Sequence, residues 1–360
     1  MSQNTTFQKC LHAWYLKNHR DLPWRKTKDI YAIWVSEVML QQTRVDTAIS
    51  YYLNFLSVFP TLQDLAKAPL ERVLKLWEGL GYYARCRNLH KAAQFLVNTN
   101  RSQIPTTWEG FRMLPGVGEY IAAAVLSISL NQPYAVVDGN VKRVYARLLC
   151  ENTPINSATS HVHYQKIADR YLFKSHPSDW NQALMELGAL ICTPTSPNCT
   201  ICPVSKICKS YLKNKVKEFP KRLQTAKIPT YFVSIGVVLK NGKILITRRK
   251  EDGFLGGLWE FPGGKRKTKE SAEMACVREI KEECKLDVNI ESYLMRVKHA
   301  YTHFKVDIDV FICRYQKGRI WLKSATAHAW VSPNQLHKYP FPKANHLFMR
   351  QLFSYLQKNK

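Results

Sequence analysis

The stretch LPGVGEYIAAAVLSISL, residues 114–130, decides how the first half of this chain is read. A proline and two glycines make a tight turn, and a mostly apolar helix pattern follows at once. Gly116 and Gly118 open backbone torsions denied to other residues and leave their N–H groups bare. With a helix predicted from near Glu119, bare amides and the positive helix end converge on one spot that suits an anion. Taken alone, the same residues describe an ordinary turn between two helices. The stretch therefore poses two questions: what it faces, and why Tyr120 stands at the head of the second helix.

Working outward, residues 1 to about 190 are rich in helix-period patterns. WVSEVMLQQTRVDTAISYYLNFL (34–56), LERVLKLWEGL (70–80) and CRNLHKAAQFLVN (86–98) place apolar residues at i, i+3, i+4 and i+7, with Pro, Gly and Asn breaks between them. A cysteine cluster closes this helical region at 192–208. Residues 209–227 carry seven Lys/Arg, one Glu and one Pro, and read as a solvated basic connector that runs to about 229. Beyond Pro229 the texture changes. TYFVSIGVVLKNGKILITRR (230–249) is two β-rich runs around Asn241-Gly242, a hairpin signal. SAEMACVREIKEECKL (271–286) predicts a helix and VDIDVFICRY (306–315) a strand, so residues 230–360 form an α+β domain behind a mainly α first half.

The chain has 360 residues, 46% of them hydrophobic, which argues against disorder and is enough for two or three domains. Its 53 Lys and Arg against 27 Asp and Glu leave a formal charge of +26, a field that attracts polyanions such as DNA or RNA. No run of about 18 apolar residues suggests a membrane span, and the first residues lack a signal-peptide pattern. The expected setting is therefore cytoplasmic and nucleoid-associated in a bacterial cell, with no membrane partner.

Ten cysteines without a secretion signal read as thiols or metal ligands. Six are scattered singly. The other four, Cys192, Cys199, Cys202 and Cys208, lie within CTPTSPNCTICPVSKIC at spacings x6, x2 and x5, and can converge on one centre. Zinc and a cubane iron–sulfur cluster both accept four cysteines, and the chemistry alone leaves that choice open.

Two carboxylates stand out. Glu37 lies among Trp34, Val35, Val38, Met39 and Leu40; apolar surroundings disfavour its charged form and let it hold a proton near neutrality. Facing outward, it would be an ordinary solvated helix residue. Asp138, in AVVDGNVKRVYAR (135–147), is followed by Gly139 and Asn140 at the start of another predicted helix, where it can serve as an N-cap.

These pieces carry a resemblance. The cysteine spacing looks like the cluster loop of the endonuclease III family of DNA glycosylases, and the hairpin followed by the aspartate resembles the helix-hairpin-helix superfamily. LPWRKTKDIYAIWVSEVMLQQT (22–43), LWEGLGYYARCRNL (76–89), LPGVGEYIAAAVLS (114–127) and VVDGNVKRV (136–144) narrow it to adenine DNA glycosylases of the MutY type. That resemblance implies a helical glycosylase domain over 1–208, with its helix-hairpin-helix at about 107–129. It implies one [4Fe–4S] cluster on the four cysteines, with Lys206 and Lys209 on a basic loop, and no nucleotide cofactor. The implied substrate is duplex DNA with adenine opposite 8-oxoguanine or guanine, bound by a monomer and left as an abasic site.

The resemblance also assigns roles. Glu37 would protonate adenine N7, and Asp138 would stabilise the oxocarbenium-like sugar or assist water attack, as two-carboxylate glycosidases do. Tyr120 and Asn140 would support these two groups. Arg20, Trp24, Arg25, Leu40 and Gln182 would line the adenine pocket. Gln41, Gln42 and Tyr82 would wedge into the gap left by the extruded base, while Gly116, Val117 and Gly118 grip the DNA backbone. Relatives that also cut the strand carry a lysine where this chain has Tyr120, and a phenol cannot form the Schiff base. Lys142 is the amine that could trap an abasic sugar as a side reaction.

GGKRKTKESAEMACVREIKEECKL (263–286) nearly satisfies the Nudix box through Gly264, Glu270, Arg278, Glu279, Glu282 and Glu283. The last three share a helix face, as a Mg²⁺-diphosphate site needs. Lys285 departs from the box, which calls for glycine there, and a non-glycine should strain the turn. MutY-type proteins use such a domain to read 8-oxoguanine. KHAYTHFKVDIDV (298–310) resembles their probing loop, with Tyr301, Thr302 and His303 at its aromatic, hydroxyl and histidine positions. Three rivals stand beside this reading: a strand-cutting glycosylase, a hydrolase of oxidised nucleotides with a DNA-binding appendage, and a non-catalytic lesion-binding protein, against which Glu37 and Asp138 count.

Overall fold

The computed structural model describes residues 3–99, 103–224 and 227–359. Its chain divides into two compact units, Met1–Ala66 with Lys91–Thr225, and Lys67–His90 with Ala226–Lys360.

The first unit is helical. Helices Ile30–Leu40 and Glu119–Leu130 pack against each other and are buried on all sides over Tyr31–Met39 and Ile121–Ile128. They are central rods, not the one-faced helices that the periodicity suggested. The run expected as one pattern from Trp34 to Leu56 is broken: Gln42 takes a left-handed φ of 57°, and a new helix runs Val45–Val58. Asp29 caps the first rod by accepting from Tyr31 N–H at 3.0 Å, and Asn131, at φ 54°, ends the second. Helix Pro177–Leu190 packs on Glu119–Leu130, Gly139–Leu149 and Gln3–Asn18. Around it Phe7, Leu11, Tyr145, Tyr164 and Trp180 form a core. Burying each such side chain contributes about 1.5–3 kcal/mol, which holds the site-bearing helices in register.

The segment expected as a solvated connector is partly built into this unit. Phe219 is buried, its carbonyl accepts from Arg147 Nε at 2.9 Å, and Ile155 N–H donates to Lys221 O at 3.0 Å. Arg147 supplies a donor that the basic run itself gives no sign of. Residues 225 and 226 of that segment lie outside the described residues.

The second unit holds a mixed sheet. Strands β1 (Thr230–Lys240), β2 (Lys243–Arg248), β3 (Trp259–Glu260), β4 (Gly263–Lys265), β5 (Asp287–Ala300), β6 (Lys305–Lys317) and β7 (Ala327–Val331) run in the order β3-β2-β1-β6-β5. Strand β4 also pairs with β1, and β7 with β2. The β1–β2 hairpin turns through Asn241 and Gly242 at φ 48° and 71°, as the Asn-Gly pair predicts. Strand alternation sends Val237, Ile244 and Ile246 to one face with Phe348 and Leu352 of helix Lys343–Lys358. Val238 and Leu245 go to the other, with Cys276 and Ile280 of helix Ala272–Cys284. Segment Lys67–His90 is tied into this unit. Trp259 Nε1 donates to Glu71 at 2.7 Å, Phe341 N–H to Glu78 at 2.6 Å, and Arg87 to Gly256 O at 2.9 Å. The compact units therefore interleave along the chain, whereas the expected domains divide it at residue 208.

Candidate active site

Glu37 lies on the buried helix Ile30–Leu40 and is only 4% exposed. The Tyr120 hydroxyl donates to Glu37 Oε2 at 2.9 Å from the first turn of helix Glu119–Leu130. Burial pushes the Glu37 carboxyl up to about 7, while the Tyr120 hydrogen bond pulls it back and the nearby Asp138 charge adds to the rise. Asp138 is the N-cap of helix Gly139–Leu149. Its Oδ1 accepts from Val141 N–H at 2.7 Å, and its Oδ2 from the Asn140 amide at 2.8 Å. Burial raises its pKa, and these two donors oppose the rise by favouring the ionised form. Asn140 is itself held through its carbonyl oxygen by Arg143 at 2.7 Å. Burial thus raises both carboxyls, opposed by one hydroxyl donor at Glu37 and by two N–H donors at Asp138.

Both open onto one cavity of about 150 Å³, which Arg20, Trp24, Arg25, Leu40, Gln182, Tyr120 and Asn140 also line. All five residues expected at a base pocket are brought together here. Sequence reading missed Glu186. It is 1% exposed and receives Arg20 Nε at 2.9 Å and Nη2 at 2.7 Å, and Arg25 Nη1 at 3.0 Å and Nη2 at 2.8 Å. Burial would raise its pKa, but the two arginines hold it at about 2. Glu186 anchors both guanidinium groups, so they act as fixed walls. Its place four residues after Gln182, on the same helix face, was the available signal. Lys142, near Asp138 in sequence, donates to Ser160 Oγ at 2.9 Å.

The hairpin differs from expectation in detail. Gly116 has φ 77°, a torsion that favours glycine, but Gly118 has φ −84°, which any residue adopts. A Cβ on Gly118 would meet nothing within 4 Å, so its bareness leaves open space above the helix start. Val117 is buried and its N–H is committed to Leu114 O at 3.1 Å. The unpaired amides of the first helical turn begin instead at the Gly118 N-cap. Gln41 and exposed Gln42 occupy the turn after the Glu37 helix.

Cys192, Cys199, Cys202 and Cys208 line a single small cavity walled by Val144, Leu148, Leu187 and Val204. Arg147 Nη1 donates to Cys192 Sγ at 3.3 Å, a contact that suits a thiolate ligand. Burial raises the Cys192 and Cys202 thiols, the latter to about 12, a cost that a bound metal centre reverses. The four sulfurs, their dry walls and the arginine donor fit a four-cysteine metal centre. Lys206 and Lys209 are exposed beside it.

In the second unit, Tyr82 (φ 49°) and Thr302 share a hydrogen bond between their hydroxyls, which joins two residues singled out separately in the sequence. Tyr301 lies in an aromatic cluster. Its ring packs on Phe254 and Phe304, each at 5.1 Å, and on His299 at 4.7 Å. The exposed tip of the β5–β6 turn is Thr302 and His303. Arg278 gathers the Nudix-like carboxylates, donating to Glu270 at 2.6 Å, Glu279 at 2.7 Å and Glu282 at 3.3 Å. Lys285 does end its helix in the left-handed region, at φ 59°.

Comparison with known proteins agrees with this architecture. Residues 35–163 match the HhH-GPD superfamily of base excision DNA repair proteins, and residues 234–351 match the NUDIX domain family. An adenine DNA glycosylase of Mus musculus is 35% identical over 362 residues, covering 85% of this chain and 70% of the relative. One from Buchnera aphidicola subsp. Schizaphis graminum is 31% identical, covering 94% of this chain and 96% of the relative. The solved structure of a thermostable thymine-DNA glycosylase aligns with a TM-score of 0.54 at 28% identity, covering 58% of this chain and 97% of that one.

Proposed function

The chain belongs to the adenine DNA glycosylase family of helix-hairpin-helix base excision repair enzymes, and from that premise we propose that it removes adenine mispaired with 8-oxoguanine or guanine from duplex DNA. The observation that carries the reading is the pairing of buried Glu37, held by Tyr120 at 2.9 Å, with Asp138 on one base-sized cavity. An extruded adenine enters between Trp24, Leu40 and the Arg20–Arg25–Glu186 wall. Protonated Glu37 gives its proton to adenine N7, so the base leaves with the electron pair of the C1′–N9 bond. Ionised Asp138 stabilises the positive sugar, and water adds at C1′ and gives up a proton to the Glu37 carboxylate, which leaves an abasic site and restores the acid. Tyr120 holds Glu37, and Asn140 holds Asp138. With a phenol at 120, the strand is not efficiently cut.

The cysteine cavity is assigned one [4Fe–4S] cluster held by Cys192, Cys199, Cys202 and Cys208. When bound it supplies a rigid, electron-accepting knot that orders the loop bearing Lys206 and Lys209 for phosphate contact. A broad visible charge-transfer absorbance, lost on iron chelation, is expected of the purified protein; stoichiometric zinc without iron would refute the assignment. The bare amides at Gly118 and the exposed Gln42 are assigned to the DNA backbone and the vacated stack. Tyr82 is assigned with Gln41 and Gln42 to the vacated stack, and Tyr301, Thr302 and His303 to the opposing 8-oxoguanine. The acting species is a monomer.

The deciding assay incubates the protein with a duplex carrying adenine opposite 8-oxoguanine. Breaks that appear only after alkali support base removal without strand cutting. Direct breaks would mean lyase action, through Lys142 or another amine, and an absence of free adenine would overturn the reading.

A further inference from the structure

A second cluster of metal-ligating side chains lies in the first unit, at the opposite end of helix Pro177–Leu190 from Cys192. His12 stands on helix Gln3–Asn18, and His176 and Asp179 stand at the start of helix Pro177–Leu190. One ligand-type atom from each, a ring nitrogen or a carboxylate oxygen, lies within 4.8 Å of the other two. His12 Nε2 and Asp179 Oδ2 are 3.1 Å apart, and the two imidazoles stack with their centroids 4.7 Å apart. Zinc bound tetrahedrally to nitrogen and oxygen holds neighbouring ligand atoms about 3.3 Å apart. The His12–Asp179 pair already has that spacing, and exposed His176 can close the remaining gap by rotating its side chain.

The surroundings hold these groups in place from outside the cluster. Phe173 packs edge-on against both rings, 5.5 Å from His12 and 5.1 Å from His176. His176 N–H donates to Phe173 O at 2.9 Å, and Trp180 N–H donates to His176 O at 2.9 Å, so the backbone that carries His176 is fixed on both sides. The cluster sits at the surface, His12 and Asp179 half-buried and His176 exposed, so water can fill the positions the protein leaves open. Two imidazoles and one carboxylate suit zinc and neighbouring divalent transition ions. Magnesium and calcium, which take oxygen ligands, are disfavoured.

We propose that His12, His176 and Asp179 bind one divalent transition-metal ion of the zinc class, which staples helix Gln3–Asn18 to helix Pro177–Leu190. The same two segments are tied a second time where Arg20, just beyond the first helix, donates to Glu186 on the second. Glu186 lies about two helical turns beyond Asp179. The ion therefore reinforces the pair of segments that hold one wall of the base pocket. Its role is structural, since no acid or base of adenine removal belongs to the cluster.

The test is equilibrium dialysis of the full chain against Zn²⁺, with metals counted per chain before and after. One zinc per chain is expected above the metal already held at the four cysteines, whose amount stays unchanged. His176→Ala and Asp179→Asn should each weaken this zinc by at least about tenfold, the lower bound for losing even an outer-shell partner. Zinc should raise the melting temperature of the unaltered chain and leave that of His176→Ala where it was. The His176 side chain is exposed, so this variant should melt like the unaltered chain when zinc is absent, which separates a lost ligand from a damaged fold. No saturable uptake up to millimolar zinc, equal affinity in the variants, or zinc taken up only by displacing the cysteine-bound metal would overturn the site. His12 and Asp179 would then be an ordinary ion pair. Zinc bound with no rise in melting temperature would overturn the staple.

Discussion

At neutral pH Glu37, raised to about 7 by burial, is protonated in a large share of molecules, whereas an exposed glutamate would almost always be ionised. Adenine release should therefore fall as pH rises through about 7, because the acid form disappears. Glu37→Gln should lower release by roughly 10²–10⁴-fold while leaving duplex binding intact, the range expected for one general acid; full activity would remove Glu37 from the mechanism. Tyr120 supplies the hydrogen bond that lowers this pKa, so Tyr120→Phe should move the alkaline limb of the pH–rate profile upward. A limb that stays put would assign the phenol to packing alone. Stability follows with its own sign. The folded pKa lies above the ordinary value of 4.5, so stability from proton uptake is complete below 4.5 and lost as pH climbs through about 7. Glu37→Gln should thus stabilise the fold more at pH 8 than at pH 5, by on the order of 2–3 kcal/mol, read from thermal melts at both pH values. Glu37 was legible because its apolar neighbours in WVSEVML announce burial. Glu186 was not, since its partners Arg25 and Arg20 are 161 and 166 residues away in sequence.

Among the elements, the helix–turn–helix around residues 114–130 divides its work between two glycines that look alike in sequence. Gly116 needs its positive φ; Gly118 does not, and contributes space over the amides of the helix start. Gly116→Ala should cost about 1–2 kcal/mol, the penalty for a left-handed residue with a Cβ. Gly118→Ala should leave the melting temperature nearly unchanged yet weaken duplex binding, because its methyl would stand where a phosphate approaches. A matched loss of stability in both variants would show the turn to be purely structural. Element type was readable wherever the local signal was strong, as at the Asn241-Gly242 hairpin turn. Lys285 shows a predicted strain realised. What local pattern did not carry was burial on every side: helices Ile30–Leu40 and Glu119–Leu130 have polar residues such as Ser36 and Ser127 inside, each satisfied by a carbonyl of its own helix. The contacts of Tyr301 were not legible for a related reason: Phe254, which packs edge-on against its ring, comes from a distant turn.

For the molecule as a whole, a charge of +26 makes duplex affinity strongly salt-dependent. A footprint of at least six phosphates predicts a loss of roughly 10³-fold between 50 and 200 mM salt in a binding titration, and a flat response would exclude phosphate-led binding. The interleaved division of the chain makes a sharper prediction. Segment Lys67–His90 lies in sequence inside the helical half, yet Glu71, Glu78 and Arg87 satisfy Trp259, Phe341 and Gly256. The sequence could not reveal this, because each bond spans more than 160 residues and neither end is unusual by itself. Glu78 also binds His346 at 2.9 Å and Lys75 at 2.5 Å, and these hydrogen bonds, working against burial, hold its carboxyl below the usual range. A chain ended at residue 224 would strand these groups while leaving the rods that carry Glu37 and Tyr120 fully packed within their own unit. Hydrogen exchange on such a chain should therefore show amides in 67–90 losing protection by orders of magnitude, while those in 121–128 stay protected. Uniform protection would mean that the segment folds with the helical half. Uniform loss would mean that the first unit does not stand without the second.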